Sequence, residues 1–542
     1  MNTSAAALDT AHPTHTRPRL DYKAGPATTI IFIGLLAAGL LYTAYSLMSD
    51  VTAAGVPTRS IAPFVLLGVA LLIALGFEFV NGFHDTANAV ATVIYTHSLP
   101  PHVAVLWSGT FNFLGVLASS GAVAFGIISL LPVELILQVG SGAGFALVFA
   151  LLIAAIIWNL GTWWLGLPAS SSHTLIGSIV GVGIANALMH GRDGTSGVDW
   201  GQVTKIGESL LLSPLVGFFA AALLLLALRA VVKNAKLFEA PRNNAPPPWW
   251  IRGILVLTCT GVSFAHGSND GQKGMGLIML ILVGTVPLAY ALNRAMPADQ
   301  VTQFVAMSQV TQQSLLKDLP RGASVGASLE HNRATLAEYV RTRHYTPADL
   351  AALSDMAGSI GAQVGTQNSL ASVPAATVPN VRNDMYLASE AIRLIQKDAS
   401  VKPDPVGAAN LKTFKKEIDS ATKFIPLWVK VAVAIALGLG TMVGWKRIVV
   451  TVGEKIGKSH LTYAQGASAE VVAMLTIAAA DSFGLPVSTT HVLSSGVAGT
   501  MAASGSGLQG STVRNLVLAW VLTLPAAILL SGSLYWLFSR LF

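Results

Sequence analysis

Gly166-Leu167-Pro168-Ala169-Ser170-Ser171-Ser172-His173 returns as Gly484-Leu485-Pro486-Val487-Ser488-Thr489-Thr490-His491, 318 residues further along the chain. A second polar stretch, Glu78-Phe79-Val80-Asn81-Gly82-Phe83-His84-Asp85, aligns with Ser263-Phe264-Ala265-His266-Gly267-Ser268-Asn269-Asp270 at an offset of 185. The offsets differ by 133, and a charged stretch of 132 residues, 293–424, lies between the copies. Without it, both motifs recur at one spacing. The chain reads as a duplication with an insert in its second half.

What surrounds the motifs is apolar. Of 542 residues, 53% are hydrophobic and 11% charged, and the mean hydropathy is +0.61. Soluble domains carry about 25% charged residues, so this chain cannot cover itself in water. The runs Thr28–Leu47, Ile61–Phe77, Val103–Ser129, Phe145–Trp158, Leu210–Leu228 and Leu516–Leu537 are long enough, or nearly so, to cross about 30 Å of hydrocarbon. A soluble enzyme, a disordered chain and a nucleic-acid reader are excluded, and the lipid bilayer is the first partner. The expectation is an all-α polytopic membrane protein with about 10 to 12 membrane segments. The single cysteine, Cys259, excludes a disulfide framework and a thiolate metal cluster. The net charge of +7 fits basic loops, Arg229–Arg252 and Trp445–His460, facing an anionic cytoplasmic leaflet.

The expected organisation is a polar tail over 1–26, a retained first span and loop over 27–60, a first membrane repeat over 61–250, the start of a second repeat over 251–292, the insert over 293–424 and the rest of the second repeat over 425–542. No small-residue cleavage site follows the first apolar run, so it reads as a span and not a signal peptide. From Leu292 to Phe424 there are 14 Lys/Arg and 12 Asp/Glu. Thr346-Pro347-Ala348-Asp349 reads there as a helix start, and Val301–Leu319 and Asn380–Lys397 carry helical spacing. The insert is expected to be a small helical extramembrane unit.

Polar breaks in apolar segments are tolerated at membrane depth only where the backbone is buried or lines a cavity. Paired breaks in a duplicated membrane protein point to a secondary transporter. A proline before Ser/Thr and an apolar run favours a helix that begins inside the membrane, its first amides free and its dipole end positive, which suits an oxyanion. Ser170, Ser171, Ser172, Ser488, Thr489 and Thr490, with Thr174 beyond the first set, would supply hydroxyl donors. Duplication in register favours this anion site over simple helix capping. His173 and His491, like His84 and His266, are expected to orient these loops, with proton relay as the alternative for the first pair.

Asp85 and Asp270 are carboxylates in segments otherwise poor in charge, which is costly unless functional. Asn88 follows Asp85 by three residues and shares its helix face, so Asp85, Asn88 and Asp270 are candidate ligands for a hard cation or metal. Asn269 and Gln272 extend the cation-coupling set, and Glu78 and Glu470 are candidate proton relays. Lys273 stands where the first half has Asn88. It could replace a bound cation, neutralise Asp270 or meet the substrate directly; a structural Asp270–Lys273 pair is the alternative. Two lookalikes are rejected. Gly194-Thr195-Ser196-Gly197 lies in a polar loop, and Gly453 to Ser459 has one residue too few between its glycines for a phosphate-binding loop. ATP-driven transport goes with it.

Asn81-Gly82-Phe83-His84-Asp85-Thr86-Ala87-Asn88-Ala89 and Gly267-Ser268-Asn269-Asp270 resemble the duplicated Gly-Ala-Asn-Asp-Val-Ala-Asn-Ala signature of the PiT inorganic phosphate transporter family. The Pro-x-Ser-Ser/Thr-Ser/Thr-His pair is similar to that family's second duplicated element. The resemblance covers about 61–292 and 425–542. It implies two inverted repeats with broken helices, a phosphate held between two re-entrant hydroxyl-rich hairpins, and Asp/Asn elements that answer to a coupling cation. His84 replaces the usual Asn of the first motif, and Asp270-Gly271-Gln272-Lys273 replaces the second Asp-x-x-Asn. The chain thereby resembles the bacterial branch of proton-coupled carriers, which take up phosphate as a neutral complex with a divalent metal such as magnesium.

The resulting expectation is a multi-pass symporter of the bacterial inner membrane, not an enzyme and without a cofactor, moving inorganic phosphate by alternating access with a proton favoured over sodium. Homo-oligomerisation stays open. The alternatives are a carrier of another tetrahedral oxyanion such as sulfate, and a non-transporting phosphate sensor with the insert as its output domain.

Overall fold

Where water is excluded, backbone amides can be satisfied only within helices or closed barrels. Among its described residues the chain is helical, with one isolated bridge, Gly457 to Leu508. The structure is a computed structural model and describes residues 18, 20, 25–56, 61–85, 87–131, 142–241, 245–319, 325–365, 369–398, 401 and 404–541. Most of the expected tail over 1–26, and Thr86 of the first motif, lie outside them.

The first half comprises α1 (Pro26–Ala53), α2 (Ala62–Asp85), α3 (Ala87–Tyr95), α4 (Pro101–Ala118), α5 (Ala122–Ile128), α6 (Gly142–Trp164), α7 (Ser171–Met189) and α8 (Trp200–Val231). The second opens with α9 (Trp249–Thr285). After the insert it continues as α15 (Leu427–Thr441), a short helix Lys446–Val450 running into a π-turn, α16 (Tyr463–Ser482), α17 (Thr489–Ala503) and α18 (Gly510–Phe538).

Among the described residues, seven helices are long and apolar enough to cross a membrane, or eight if one bent pair is a single span. That is fewer than the ten to twelve expected. The first-half motif helices α2 and α7 count among the seven, but their second-half counterparts do not: α9 carries Asp270 and Lys273 at its middle, and α17 is only 15 residues long. The second copy of the Asp motif corrects another expectation. The sequence predicts a broken segment there, yet α9 runs unbroken through it for 37 residues. Its glycines serve close packing and not a break. A Cβ on Gly267 would lie 2.1 Å from the Asn112 carbonyl oxygen of α4.

Packing between the halves is reciprocal. Helix α2 lies on α15, and α9 lies on α4. Helix α7 lies on α18, the last helix of the other half, and α17 lies on α8. Glycines set both crossings: Gly181 of α7 meets the Ile528 carbonyl, and Gly499 of α17, 318 residues on, meets that of Phe218. Small residues at such contacts let backbones approach closely.

The insert contains α10 (Ala298–Lys317), α11 (Leu329–Thr342), α12 (Pro347–Gly365), α13 (Val378–Ile395) and α14 (Pro405–Thr422). They enclose Phe304, Leu336, Leu353, Met356, Ile360, Met385, Ile392, Phe414 and Ile418. At the start of α12, the amide and hydroxyl of Thr346 donate to Asp349 at 2.6 and 2.8 Å. The insert's entry and exit are adjacent, with the Asn293 amide donating to the Ala421 carbonyl at 2.8 Å.

Candidate anion and cation site

Both hydroxyl motifs form helix starts. Ser170 is extended (φ −102°, ψ 118°) and accepts from the His173 amide at 3.2 Å. Ser488 (φ −95°, ψ 100°) accepts from the His491 amide at 3.2 Å. Each is an N-cap, and α7 and α17 therefore begin inside the protein, next to one another. Ser172 Oγ donates to the Val487 carbonyl at 2.9 Å, and the His173 and His491 rings pack with centroids 4.6 Å apart and planes tilted by 42°. The proline carbonyls are held by the opposite half: Trp520 Nε1 donates to Pro168 at 3.0 Å, and Ser209 Oγ to Pro486 at 3.4 Å.

Asp85, at the end of α2, receives a hydroxyl from each helix start. Ser171 Oγ donates to its Oδ2 at 2.5 Å and Thr490 Oγ1 to its Oδ1 at 3.0 Å. His84 Nδ1 also lies 2.8 Å from Oδ1, while His84 Nε2 is 3.1 Å from Thr162 Oγ1. Asn88 Nδ2 donates to Thr490 Oγ1 at 3.0 Å and to the Asp85 carbonyl at 2.9 Å.

Asp270 faces Asp85 from the middle of α9. Lys273 Nζ is 2.7 Å from its Oδ2 and 3.2 Å from Ser171 Oγ, so one serine touches both charged systems. His266 Nε2 lies 3.3 Å from the same oxygen, and His266 Nδ1 2.6 Å from Asn112 Oδ1. Lys273 is fully buried, and a buried ion pair persists only when its geometry and hydrogen bonds offset the desolvation cost. The cluster sets two carboxylates against one ammonium.

The structure thus brings together Ser171, Thr490, Asp85, Asn88, Asp270 and Lys273. It does not bring Asn269 or Gln272 into that cluster. Asn269 grips the second hydroxyl loop, its Nδ2 donating to the Leu485 carbonyl at 3.1 Å and its Oδ1 accepting from the Val487 amide at 3.3 Å. Gln272 donates to Asp481 at 2.6 Å and accepts from the Val123 amide at 2.9 Å. One helix face cannot serve both directions: residues one or two apart from Asp270 point elsewhere. Thr174 turns back on its own helix, donating to the Ser170 carbonyl at 2.9 Å. Thr489 Oγ1 is buried without a hydrogen-bond partner among the described residues. The orienting role expected of the His173 and His491 side chains takes another form, because it is their main-chain amides that donate to the capping serines, while their rings pack against each other. Glu78 sits against Gly274 of α9, with Asn81 Nδ2 at 3.5 Å. Glu470 stands apart and accepts from the Thr258 hydroxyl. The rejected phosphate-loop lookalike packs Gly453 on the Tyr95 ring.

Sequence reasoning missed Thr162, Asn112, Asp481 and Trp520. Only Asp481 carried a signal, as a carboxylate just ahead of the second hydroxyl motif.

For a metal, Asp85, His266 and Asp270 offer ligand atoms all within 4.8 Å of one another. Asp270 Oδ1 and Asn88 Oδ1 are buried without hydrogen-bond partners among the described residues. Open oxygens beside two carboxylates fit a small cation, although the Lys273 ammonium already stands at Asp270 Oδ2.

A family model described as the phosphate transporter family matches residues 81–531. Over 490 residues the chain is 43% identical to the low-affinity inorganic phosphate transporter PitA of Escherichia coli strain K12, covering 87% of this chain and 96% of that protein. It is 41% identical over 500 residues to PitB of the same strain, with the same coverages. A probable low-affinity inorganic phosphate transporter of Bacillus subtilis strain 168 is 27% identical over 482 residues, covering 88% and 99%.

Proposed function

Since this chain belongs to the phosphate transporter family, we propose that it carries inorganic phosphate across the bacterial inner membrane as a secondary symporter. A cation gradient drives it, with the proton favoured over sodium, and access alternates between the two faces. The observation that carries this reading is the pair of hydrogen bonds to Asp85, one from a hydroxyl at each buried helix start.

As an anion, Asp85 only accepts. It therefore holds the Ser171 and Thr490 protons that a phosphate oxygen would need, and its charge repels the incoming anion. A proton on Asp85 removes that charge and weakens both bonds, so the two hydroxyls can turn to phosphate. The first amides of α7 and α17, which have no intrahelical partner, add donors around the same space. Co-transport follows from this exchange, since the anion is held well only when the carboxylate has taken up a cation.

Lys273 supports the proton over sodium. Its fixed ammonium at Asp270 occupies the position a second small cation would take. A neutral complex of phosphate with a divalent metal would meet less repulsion from the two carboxylates than free phosphate, which supports the metal phosphate as cargo. The reciprocal packing of α7 on α18 and α17 on α8 supports two inverted repeats whose hydroxyl loops re-enter the membrane.

The test is radiolabelled phosphate uptake into proteoliposomes under a pH gradient or a sodium gradient, with and without magnesium, and with sulfate as competitor. Uptake should follow the pH gradient and resist sulfate. Uptake driven by sodium alone, without pH dependence, would sink the proton reading, and equal competition by sulfate would sink the choice of phosphate.

A further inference from the structure

Where the insert meets the membrane portion, a cavity of about 60 Å³ lies between α5, α9, α13 and the end of α14, its polar lining being Ser129, Arg382, Tyr386, Glu390, Thr422 and Lys423. A single water needs about 10–15 Å³ of such space, so there is room for a tetrahedral ion. We propose that this cavity is a second anion site, taking a phosphate-type oxyanion, free or as a lipid headgroup, between the guanidinium of Arg382, the ammonium of Lys423 and the hydroxyl of Tyr386.

The argument is one of unmatched charge. Glu390 accepts from Arg393 Nε at 2.7 Å, and Arg393 also reaches Asp199 at 3.1 Å. Asp419 is shared by Lys415 at 2.6 Å and Lys423 at 2.9 Å. Arg382 is left over. Among the described residues no carboxylate lies within ion-pair distance of it. Its one hydrogen bond goes to Asn383 Oδ1 at 3.3 Å, and its guanidinium carbon lies 5.4 Å from the Tyr386 ring centroid. Burial pulls its pKa below the ordinary arginine value, and no carboxylate pulls it back.

A planar guanidinium that cannot lose its proton needs an acceptor, and its fork matches two oxygens of a phosphate. Tyr386 has a hydroxyl without a hydrogen-bond partner among the described residues. Ser129 and Thr422 are already donors to the Gly126 and Ile418 carbonyls, at 2.8 and 2.7 Å. The carbonyl ends of α5 and α14 also open here and favour cations, so the anion is held by the three side-chain donors and not by a helix dipole. An occupant would tie α13 of the insert to α9, the helix that carries Asp270 and Lys273.

The site is separate from the one proposed for transport, so the experiment reads them apart. The full chain, in phosphatidylcholine nanodiscs, is titrated with [³²P]phosphate, and the same chain in phosphatidylglycerol nanodiscs is weighed by native mass spectrometry. If free phosphate is the ligand, the wild type shows two classes of phosphate site, and Arg382→Gln weakens one about tenfold or more, the loss of a charged hydrogen bond. If a headgroup is the ligand, phosphatidylglycerol stays on the wild type and leaves Arg382→Gln. Tyr386→Phe and Lys423→Gln should weaken the same class, and they serve if Arg382→Gln does not fold. No difference in either ligand between wild type and all three variants overturns the proposal. Loss of the class that Arg382 does not affect counts against the transport site alone.

Discussion

Asp85 and Lys273 divide the charge at the centre between a carboxylate bonded by hydroxyls and one neutralised by an ammonium. Asp85→Asn keeps the shape but cannot take up a proton, so pH-driven uptake should fall to the level of protein-free vesicles while the protein remains folded by size-exclusion chromatography. Lys273→Met leaves Asp270 buried beside His266 without its ammonium. Breaking a buried pair costs about 3–5 kcal/mol, to be read as a marked fall in thermal unfolding temperature. Lys273→Asn restores the Asp-x-x-Asn pattern, and sodium-stimulated uptake should appear; an unchanged sodium response would remove Lys273 from the coupling argument. Much of this centre was legible in the sequence because duplication singles out residues that composition alone would leave ambiguous. Asn112 and Thr162 were not legible. Each is a polar residue in an apolar helix, and only the packing of distant segments shows that it meets His266 or His84.

Glycine is where the elements depart from their sequence reading. In one dimension Gly267 and Gly271 look like breaks; in the fold they are points of contact. Gly267→Ala places a Cβ 2.1 Å from the Asn112 carbonyl oxygen, and overpacking of this kind costs about 1–3 kcal/mol. Gly161→Ala in α6 has nothing within 4 Å of its Cβ, and should be neutral or stabilising by up to about 1 kcal/mol. Thermal unfolding of the two variants, side by side, checks both. The hydroxyl-rich starts of α7 and α17 were readable, since proline before serine or threonine is a local signal. The unbroken length of α9 was not, because it depends on what α4 presents to it.

At the scale of the molecule, the insert is a side branch whose ends meet at Asn293 and Ala421. Replacing 294–420 by a short glycine linker should leave a folded protein that still takes up phosphate, whereas loss of uptake in a well-folded deletion would favour the sensor alternative. The branch is also clasped to the membrane portion, Arg343 and Arg393 meeting Asp199 at 2.5 and 3.1 Å. Burial works to raise the Asp199 carboxyl, but the Gln202 amide and the two arginines outweigh it, and it ends below its ordinary value. A depressed carboxyl adds stability above its unfolded value of about 4 and loses it as pH falls further. Hydrogen exchange in 385–396 should therefore quicken below about pH 4 in the wild type, and be already fast at neutral pH in Asp199→Asn. The duplication announced this two-part plan, but the exchange of partners between its halves did not show in it. That exchange has a consequence for biogenesis. Helix α7 rests on α18 and α2 on α15, so a nascent chain emerging in order completes the seat of its first hydroxyl loop only when the last helix leaves the ribosome. Pairs separated by hundreds of residues must close late, and a truncated messenger would yield a chain holding an uncovered serine loop in the bilayer, the kind of product that quality-control proteases remove.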